Sequence, residues 1–280
     1  MACKTILTYL RNEYEAPGLV AAAAILAEHQ KAHVIGLSVA PNTQVVPVVG
    51  FPVPKEILEA ATRHHAEKSQ AIKRSFEEHA GNGTQMWEWR HVDSEGPTIS
   101  QIVAAHGKCA DLLVIGQPSK DASYVVPDMT FETALMGTGR PALVVPTDHV
   151  PRTIGKSVAI AWNGTREAAR AAFDALALMT AAKTEKVTIV CVETQADQLS
   201  ELRMGGELAK ALARHELDID VVRVSLEDSV GHSLLRQANE LGADLLVMGC
   251  YGHSRVREFV FGGATDHVLH NMEIPVLMAH

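Results

Sequence analysis

The sequence lacks the features that mark membrane-spanning, disulfide-linked and nucleic-acid-binding proteins. None of its apolar runs approaches the roughly 18 residues that a bilayer-spanning helix needs. Its four cysteines stand far apart, so their spacing matches neither a zinc site nor a redox disulfide. The net charge is −8, whereas a nucleic-acid partner requires a concentrated basic surface. We therefore expect no membrane partner and no nucleic-acid partner.

The N-terminal residues also lack a targeting signal. The chain enters an apolar strand pattern at Lys4 without the layout of a signal peptide. Together with the unpaired cysteines, this pattern predicts a cytoplasmic protein. The length of 280 residues and the hydrophobic content of 47% suit two globular domains.

Two common nucleotide-binding motifs are missing. No Gly-x-Gly-x-x-Gly follows a first strand, so the fingerprint of dinucleotide oxidoreductases is absent. No Gly-x4-Gly-Lys-Ser/Thr occurs, which excludes a P-loop nucleotide hydrolase. The fourteen histidines are not spaced like a set of metal ligands. We therefore predict neither a metal site nor a dedicated set of catalytic residues.

The sequence does contain an internal repeat. Residues 110–116 recur in nearly the same form as residues 243–249, and residues 4–9 match residues 156–161. A third matching pair, residues 139–145 and 273–279, lies at the end of each copy. Three matched pairs in the same order indicate a tandem duplication.

The repeat predicts two domains, at residues 1–149 and 150–280. The first copy is longer, mainly because of an insertion at residues 41–54. This apolar, proline-containing insertion could form a lid, a packing arm or an oligomer contact. Trp87 and Trp89 alternate on a predicted strand and should face the same side of a sheet, as core or interface anchors.

Strand and helix patterns alternate in the second copy. Strands are predicted at residues 158–161, 187–192, 219–224, 245–248 and 276–279, and helices at 168–179, 198–215, 230–241 and 266–271. The residues expected on one face of the first of these helices are Ala169, Ala172, Phe173 and Leu176. The alternation predicts an α/β fold of two tandem open parallel five-stranded sheets with helices on both faces. Ligands of such sheets bind beyond the carboxyl ends of the strands.

A glycine-rich motif near the C-terminus points to an anion. It consists of Gly249, Gly252, Gly262, Gly263, Ala264 and Thr265. Residues without a Cβ allow the backbone to approach an anion closely, and the N–H groups of a helix's first turn point at it. The pattern favours a phosphate site, although glycines at these positions could also serve as simple turn residues. His253 in the loop could donate to a phosphate oxygen or lie exposed in solvent.

This motif, the closing Pro-Val-Leu strand and the duplicated layout resemble the tandem universal stress proteins of the UspA family. The resemblance covers essentially the whole chain. It implies a Rossmann-like fold related to the adenine nucleotide α-hydrolases. It also implies that the last strands of the two copies pair within the chain as a pseudo-dimer, and that chains pair further as a homodimer.

The resemblance also implies an adenine nucleotide, ATP, AMP or ADP, with or without Mg²⁺, bound to the second copy. Val192 would hold the adenine through its backbone, and Asn163 would hold the ribose. The full set of candidate binding residues is Ala161, Trp162, Asn163, Val192, Met248, Gly249, Gly252, His253, Gly262, Gly263, Ala264 and Thr265. The chain departs from the family pattern at Asn163, where Asp is usual, and at Gly263, where Ser or Thr is usual.

The first copy departs much further from the motif. Gly116 is followed by Gln117 and Pro118 without a second glycine, and Glu132 lies where the phosphate-binding helix should begin. We therefore predict a structural first copy that binds no nucleotide. The leading hypothesis for the chain is a regulatory nucleotide-binding stress-response protein. The alternatives are a slow ATP hydrolase or nucleotidyl-transfer enzyme, and an interaction module that dimerises without nucleotide.

Overall fold

Strands and helices alternate through both halves of the computed structural model, which describes residues 3–41, 55–80, 86–94, 96–118, 129–193, 205–251 and 263–280. The first half contains β1 (Thr5–Tyr9), α1 (Ala16–Gln30), β2 (His33–Ala40), α2 (Lys55–His79), β3 (Trp87–Asp93), α3 (Ile99–Gly107), β4 (Leu112–Gly116), α4 (Met129–Thr138) and β5 (Ala142–Val145). The second half contains β6 (Ser157–Ala161), α5 (Arg166–Asp174), α6 (Leu176–Ala182), β7 (Lys186–Glu193), α7 (Gly206–Ala213), β8 (Ile219–Ser225), α8 (Val230–Glu240), β9 (Leu245–Gly249), α9 (Gly263–Asn271) and β10 (Val276–Ala279). We call β1 to β5 the first copy and β6 to β10 the second copy.

The ten strands form one sheet in the order β3-β2-β1-β4-β5-β10-β9-β6-β7-β8. Pairing within each copy is parallel. The helices pack on both sides, because parallel strands need crossover connections and buried strands need cover on each face. The predicted α/β fold is confirmed. Each copy contributes five parallel strands, which join into one ten-stranded sheet.

The two copies meet through their last strands. β5 and β10 pair antiparallel, with Val144 opposite Val276 and Leu143 opposite Leu277. All residues of both strands are buried. An apolar strand at a sheet edge exposes unpaired backbone groups, and here each of these strands covers the other. The predicted pairing of the copies within one chain is confirmed, and the boundary between residues 149 and 150 stays a prediction.

The core consists of two layers, one on each face of the sheet. One layer includes residues of α1, α2, α5, α6 and α7, and the other includes residues of α3, α4, α8 and α9. The rings of Trp87 and Trp89 lie 5.6 Å and 5.2 Å from the ring of Phe76 on α2. Trp87 and Trp89 therefore anchor α2 to the sheet. This is the core role, one of the two roles predicted for them.

The helix predicted at residues 168–179 differs from the structure. Two helices, α5 and α6, occupy this region, and Phe173 is 47% exposed. The buried face of α5 consists of Glu167, Ala168, Ala171 and Ala172. Of the predicted face, Ala172 is buried and Leu176 packs against the core. Phe173 was wrongly placed on it, because the start of α5 lies with its backbone directly against the end of β9 and this orientation turns Phe173 outward.

The repeated Ala-Asp-Leu-Leu-Val motif has the same structural role in both copies. The Asp111 carboxylate accepts hydrogen bonds from the backbone N–H groups of Lys4 and Thr5, at 2.7 Å and 3.0 Å. The Asp244 carboxylate accepts them from Gly155, Lys156 and Ser157, at 3.0 to 3.2 Å. Each aspartate therefore ties the start of the first strand of its copy to the strand beside it.

Two further predictions concern the insertion in the first copy and membrane-spanning segments. The insertion at residues 41–54 falls outside the described residues except for Pro41. Among the helices within the described ranges, none has the length and apolarity to cross a membrane.

Candidate functional site

The strand order of the second copy reverses between β6 and β9, and the candidate residues gather at the carboxyl ends of these strands. Ala161 ends β6 opposite Val190 of β7. Val192 lies two residues further along β7, and Met248 and Gly249 end β9. An edge where the winding of an open α/β sheet reverses is the usual place for a ligand.

The candidate side chains lie on different faces of the sheet. Ala161, Val192 and Met248 belong to the layer on the side of α8 and α9. The Trp162 ring packs against the opposite layer, and its backbone N–H donates to the Val190 carbonyl at 2.9 Å. Ala161 and Trp162, predicted together as pocket residues, therefore face opposite sides of the sheet.

Asn163 forms a tight local turn with Thr165. Its Oδ1 accepts hydrogen bonds from the backbone N–H of Thr165 at 3.2 Å and from the Thr165 hydroxyl at 2.8 Å. The Thr165 oxygen in turn accepts from the Ala168 N–H at 3.3 Å and so caps α5. The amide oxygen of Asn163, the residue predicted to hold the ribose, is therefore already engaged by the protein.

Gly249 allows α5 to pack directly on the end of β9. A Cβ at this position would lie 2.5 Å from the Ala168 nitrogen and 2.5 Å from the Glu167 carbonyl carbon. Backbone atoms of this kind cannot move aside without shifting the helix. Packing alone therefore requires glycine here, in addition to the predicted approach of an anion.

A buried carboxylate that the sequence analysis missed lies beside this contact. Glu167 is 4% exposed and accepts a hydrogen bond from Arg166. Burial raises the pKa of Glu167, but the hydrogen bond from Arg166 and the positive charges of Arg166 and His280 outweigh it, so the pKa lies below its usual value. The only signal in the sequence was an acidic residue in the first turn of a helix.

The C-terminal residues close the same region. The backbone N–H of Cys250 donates to the Ala279 carbonyl at 3.0 Å, and a ring nitrogen of His280 lies 2.9 Å from the Cys250 carbonyl. Burial and the nearby charge of Glu167 raise the pKa of the Cys250 thiol to about 12. Cys250 is therefore a protonated packing residue rather than a nucleophile at neutral pH.

The first turn of α9 offers its backbone to solvent. Gly263 is exposed, and a Cβ added there would have no atom of a described residue within 4 Å. Ala264 is half-buried and Thr265 is 4% exposed. The first N–H groups of a helix have no partner within the helix, so this end is suited to an anion.

Three of the predicted binding residues, Gly252, His253 and Gly262, lie outside the described residues. No group of three or more histidine, cysteine, aspartate or glutamate side chains in the described part of the chain could hold a metal ion.

The corresponding region of the first copy is crossed by an arginine. Arg11 occupies the position of Asn163, and its guanidinium pairs with the Glu15 carboxylate at 2.8 Å and donates to the Gln117 carbonyl at 2.6 Å. A Cβ at Gly116 would lie 2.9 Å from the Arg11 guanidinium. The side chain therefore covers the strand end that in the second copy is covered by helix backbone.

Comparison with known proteins agrees with this architecture. The model of the universal stress protein family matches residues 144–280. A universal stress protein of Synechocystis is 28% identical over 174 residues, which cover 60% of this chain and 57% of that relative. The match thus spans little more than half of the relative's length.

Two solved structures share the fold across the whole chain. A universal stress protein of Archaeoglobus fulgidus has a TM-score of 0.69 at 14% identity, with 98% of this chain and 95% of that chain covered. A protein of unknown function from Pseudomonas aeruginosa has a TM-score of 0.61 at 16% identity, with 99% and 92% covered. The match to the universal stress protein family therefore lies in residues 144–280, the second copy and the end of the first. These matches support the resemblance to the universal stress proteins.

Proposed function

We propose that the second copy binds an adenine nucleotide at the carboxyl ends of β6, β7 and β9, and that the nucleotide regulates the protein rather than being consumed. The asymmetry between the copies carries the proposal. In the first copy Arg11 lies across the strand end, whereas in the second copy the short Asn163 side chain is turned back onto Thr165. The exposed start of α9 at Gly263 supplies the backbone donors that a phosphate needs.

Each candidate residue would contact a different part of the ligand. The Val192 backbone would contact the adenine and the first turn of α9 would contact the phosphates. Because the Asn163 oxygen is engaged by Thr165, its amino group would be the polar group offered to the ribose. Mg²⁺ would come with the phosphates, since the described residues contribute no cluster of ligands of their own.

A regulatory role fits the chemistry of the described residues. Hydrolysis needs a positioned base or a carboxylate that holds the metal near the phosphates. Glu167, the buried acid of this region, is bonded to Arg166 and lies under the α5–β9 contact. We therefore propose binding without dedicated catalysis, in a cytoplasmic protein whose chains pair as homodimers.

The first turn of α9 provides the test of the proposal. Gly263→Asp places a negative charge where the phosphates would lie, and no atom of the described part of the chain lies within 4 Å of the added Cβ. An acidic residue in the first turn suits the helix dipole, so the fold should keep its stability. Calorimetric titration with ATP, with and without Mg²⁺, should show an affinity at least about tenfold weaker than that of the unchanged protein.

Gly206→Asp is the matched control. Gly206 also begins a helix, α7, and among the described residues no atom lies within 4 Å of an added Cβ. This variant should bind ATP as the unchanged protein does. Equal affinities for the unchanged protein and Gly263→Asp would contradict the proposed phosphate position. The absence of heat with ATP, ADP and AMP would favour an interaction module without nucleotide, and steady phosphate release would favour a hydrolase.

A further inference from the structure

Gln117 connects the two copies through a buried side chain. It follows β4 in the first copy and is 8% exposed. Its Nε2 donates to the Leu269 carbonyl of the second copy at 2.7 Å, and its Oε1 accepts from the Thr147 N–H at 3.0 Å. Both ends of the amide are therefore used.

The acceptor of this bond lies in the last turn of α9. Helix α9 ends at Asn271, and the last four carbonyls of a helix have no partner within it. The Gln117 amide satisfies one of them from the other copy. Its donor also suits the negative end of the helix dipole.

The second copy does not return this contact. Cys250 occupies the position of Gln117, because the two backbone N–H groups donate to the equivalent carbonyls of Val145 and Ala279. The Cys250 thiol donates a hydrogen bond to the Ala279 carbonyl of its own copy, at 3.3 Å. The junction between the copies is therefore asymmetric at this pair of positions.

We propose that Gln117 is a positioning residue for the anion-binding end of α9, so that the first copy controls the ligand affinity of the second. The part of this proposal that concerns nucleotide affinity rests on the proposed function. A nine-residue helix moves as a unit, so a shift of its last turn also moves Gly263 and Ala264 in its first turn. Loss of the amide donor would leave the buried Leu269 carbonyl unpaired, and the end of α9 would open to reach water.

The proposal is tested with Gln117→Met in the full chain. Methionine has a similar length but donates no hydrogen bond. Amide hydrogen exchange, measured without ligand, should become faster in α9 and stay unchanged in α4. Calorimetric titration with ATP should show an affinity roughly three- to thirty-fold weaker.

Arg170→Met is the matched control. Its guanidinium donates to the Gly139 carbonyl at 3.3 Å, so it also joins the two copies, but from exposed positions on α5. This variant should leave both the exchange of α9 and the ATP affinity unchanged. Gln117→Glu is a second test, because it keeps the acceptor for the Thr147 N–H and removes the amide donor. It should destabilise α9 at least as much as Gln117→Met does.

The outcomes separate this proposal from the proposed function. Faster exchange in α9 without ATP binding by the unchanged protein would support the positioning role and contradict nucleotide binding. If the unchanged protein binds ATP and both Gln117 variants bind it equally well, the positioning role is overturned. Unchanged exchange in α9 of both variants would also overturn it, whatever their ATP affinity.

Discussion

The two copies solve the same packing problem at the end of the fourth strand in different ways. In the first copy the space above Gly116 contains the charged ends of Arg11 and Glu15. In the second copy the space above Gly249 contains the backbone of Glu167 and Ala168. The glycine that both copies have at this position thus faces a side-chain ion pair in one copy and the start of a helix in the other. The same residue therefore tolerates change to different degrees in the two copies.

The largest expected effect comes from substituting these two glycines. Gly249→Ala should destabilise the protein by about 3 kcal/mol, because the new Cβ meets backbone atoms. Gly116→Ala should cost about 1 kcal/mol, because the ends of the Arg11 and Glu15 side chains can move. Urea unfolding of both variants measures the difference. Equal losses would show that the two strand ends are packed alike.

The second effect comes from the arginine that covers the first copy. Arg11→Met removes the ion pair with Glu15 and the hydrogen bond to the Gln117 carbonyl, so we expect a loss of about 2 kcal/mol. Urea unfolding measures this loss as well.

Arg170 supplies a matched control for the arginine. It also pairs with an acid four residues later, Asp174, and donates to a backbone carbonyl. It is more exposed than Arg11, with 48% against 26% of the side chain accessible. Arg170→Met should therefore cost less than about 1 kcal/mol. A cost as large as that of Arg11→Met would mean that burial does not distinguish the two pairs.

The smallest effect concerns the pH dependence of the second copy. The folded-state pKa of Glu167 is lowered, so its contribution to stability is present above the unfolded pKa and is lost as the pH falls through the folded pKa. In Glu167→Gln the loss of stability between pH 7 and pH 3 should be smaller than in the unchanged protein. Urea unfolding at both pH values measures it, and an unchanged difference would exclude a lowered pKa of Glu167 in the folded state.

The sequence predicted the fold better than it predicted the site. Repeated segments and apolar strand patterns are local signals, so the strands could be recognised. The pairing of the two copies through β5 and β10 was implied by the family resemblance. The error at Phe173 arose because its spacing follows that of a buried helical face, whereas the face of α5 that the structure buries consists of Glu167, Ala168, Ala171 and Ala172.

The contacts that distinguish the two copies depend on residues distant in sequence. Gln117 and Leu269 are 152 positions apart, and no local pattern links them. The Arg11–Glu15 pair had a local signal in its spacing of four residues, although only the structure places it over Gly116. The turn formed by Asn163 and Thr165 was also encoded locally, although only the structure shows that it engages the amide oxygen of Asn163.

The antiparallel joint of β5 and β10 has a consequence for how such a protein can diversify. In an assembly of two identical subunits every interfacial residue occurs twice, so each change must be accommodated at both symmetry-related positions. A single continuous chain removes that constraint. Glutamine at one position and cysteine at its counterpart can then be selected separately, and one half can specialise as a support for the other.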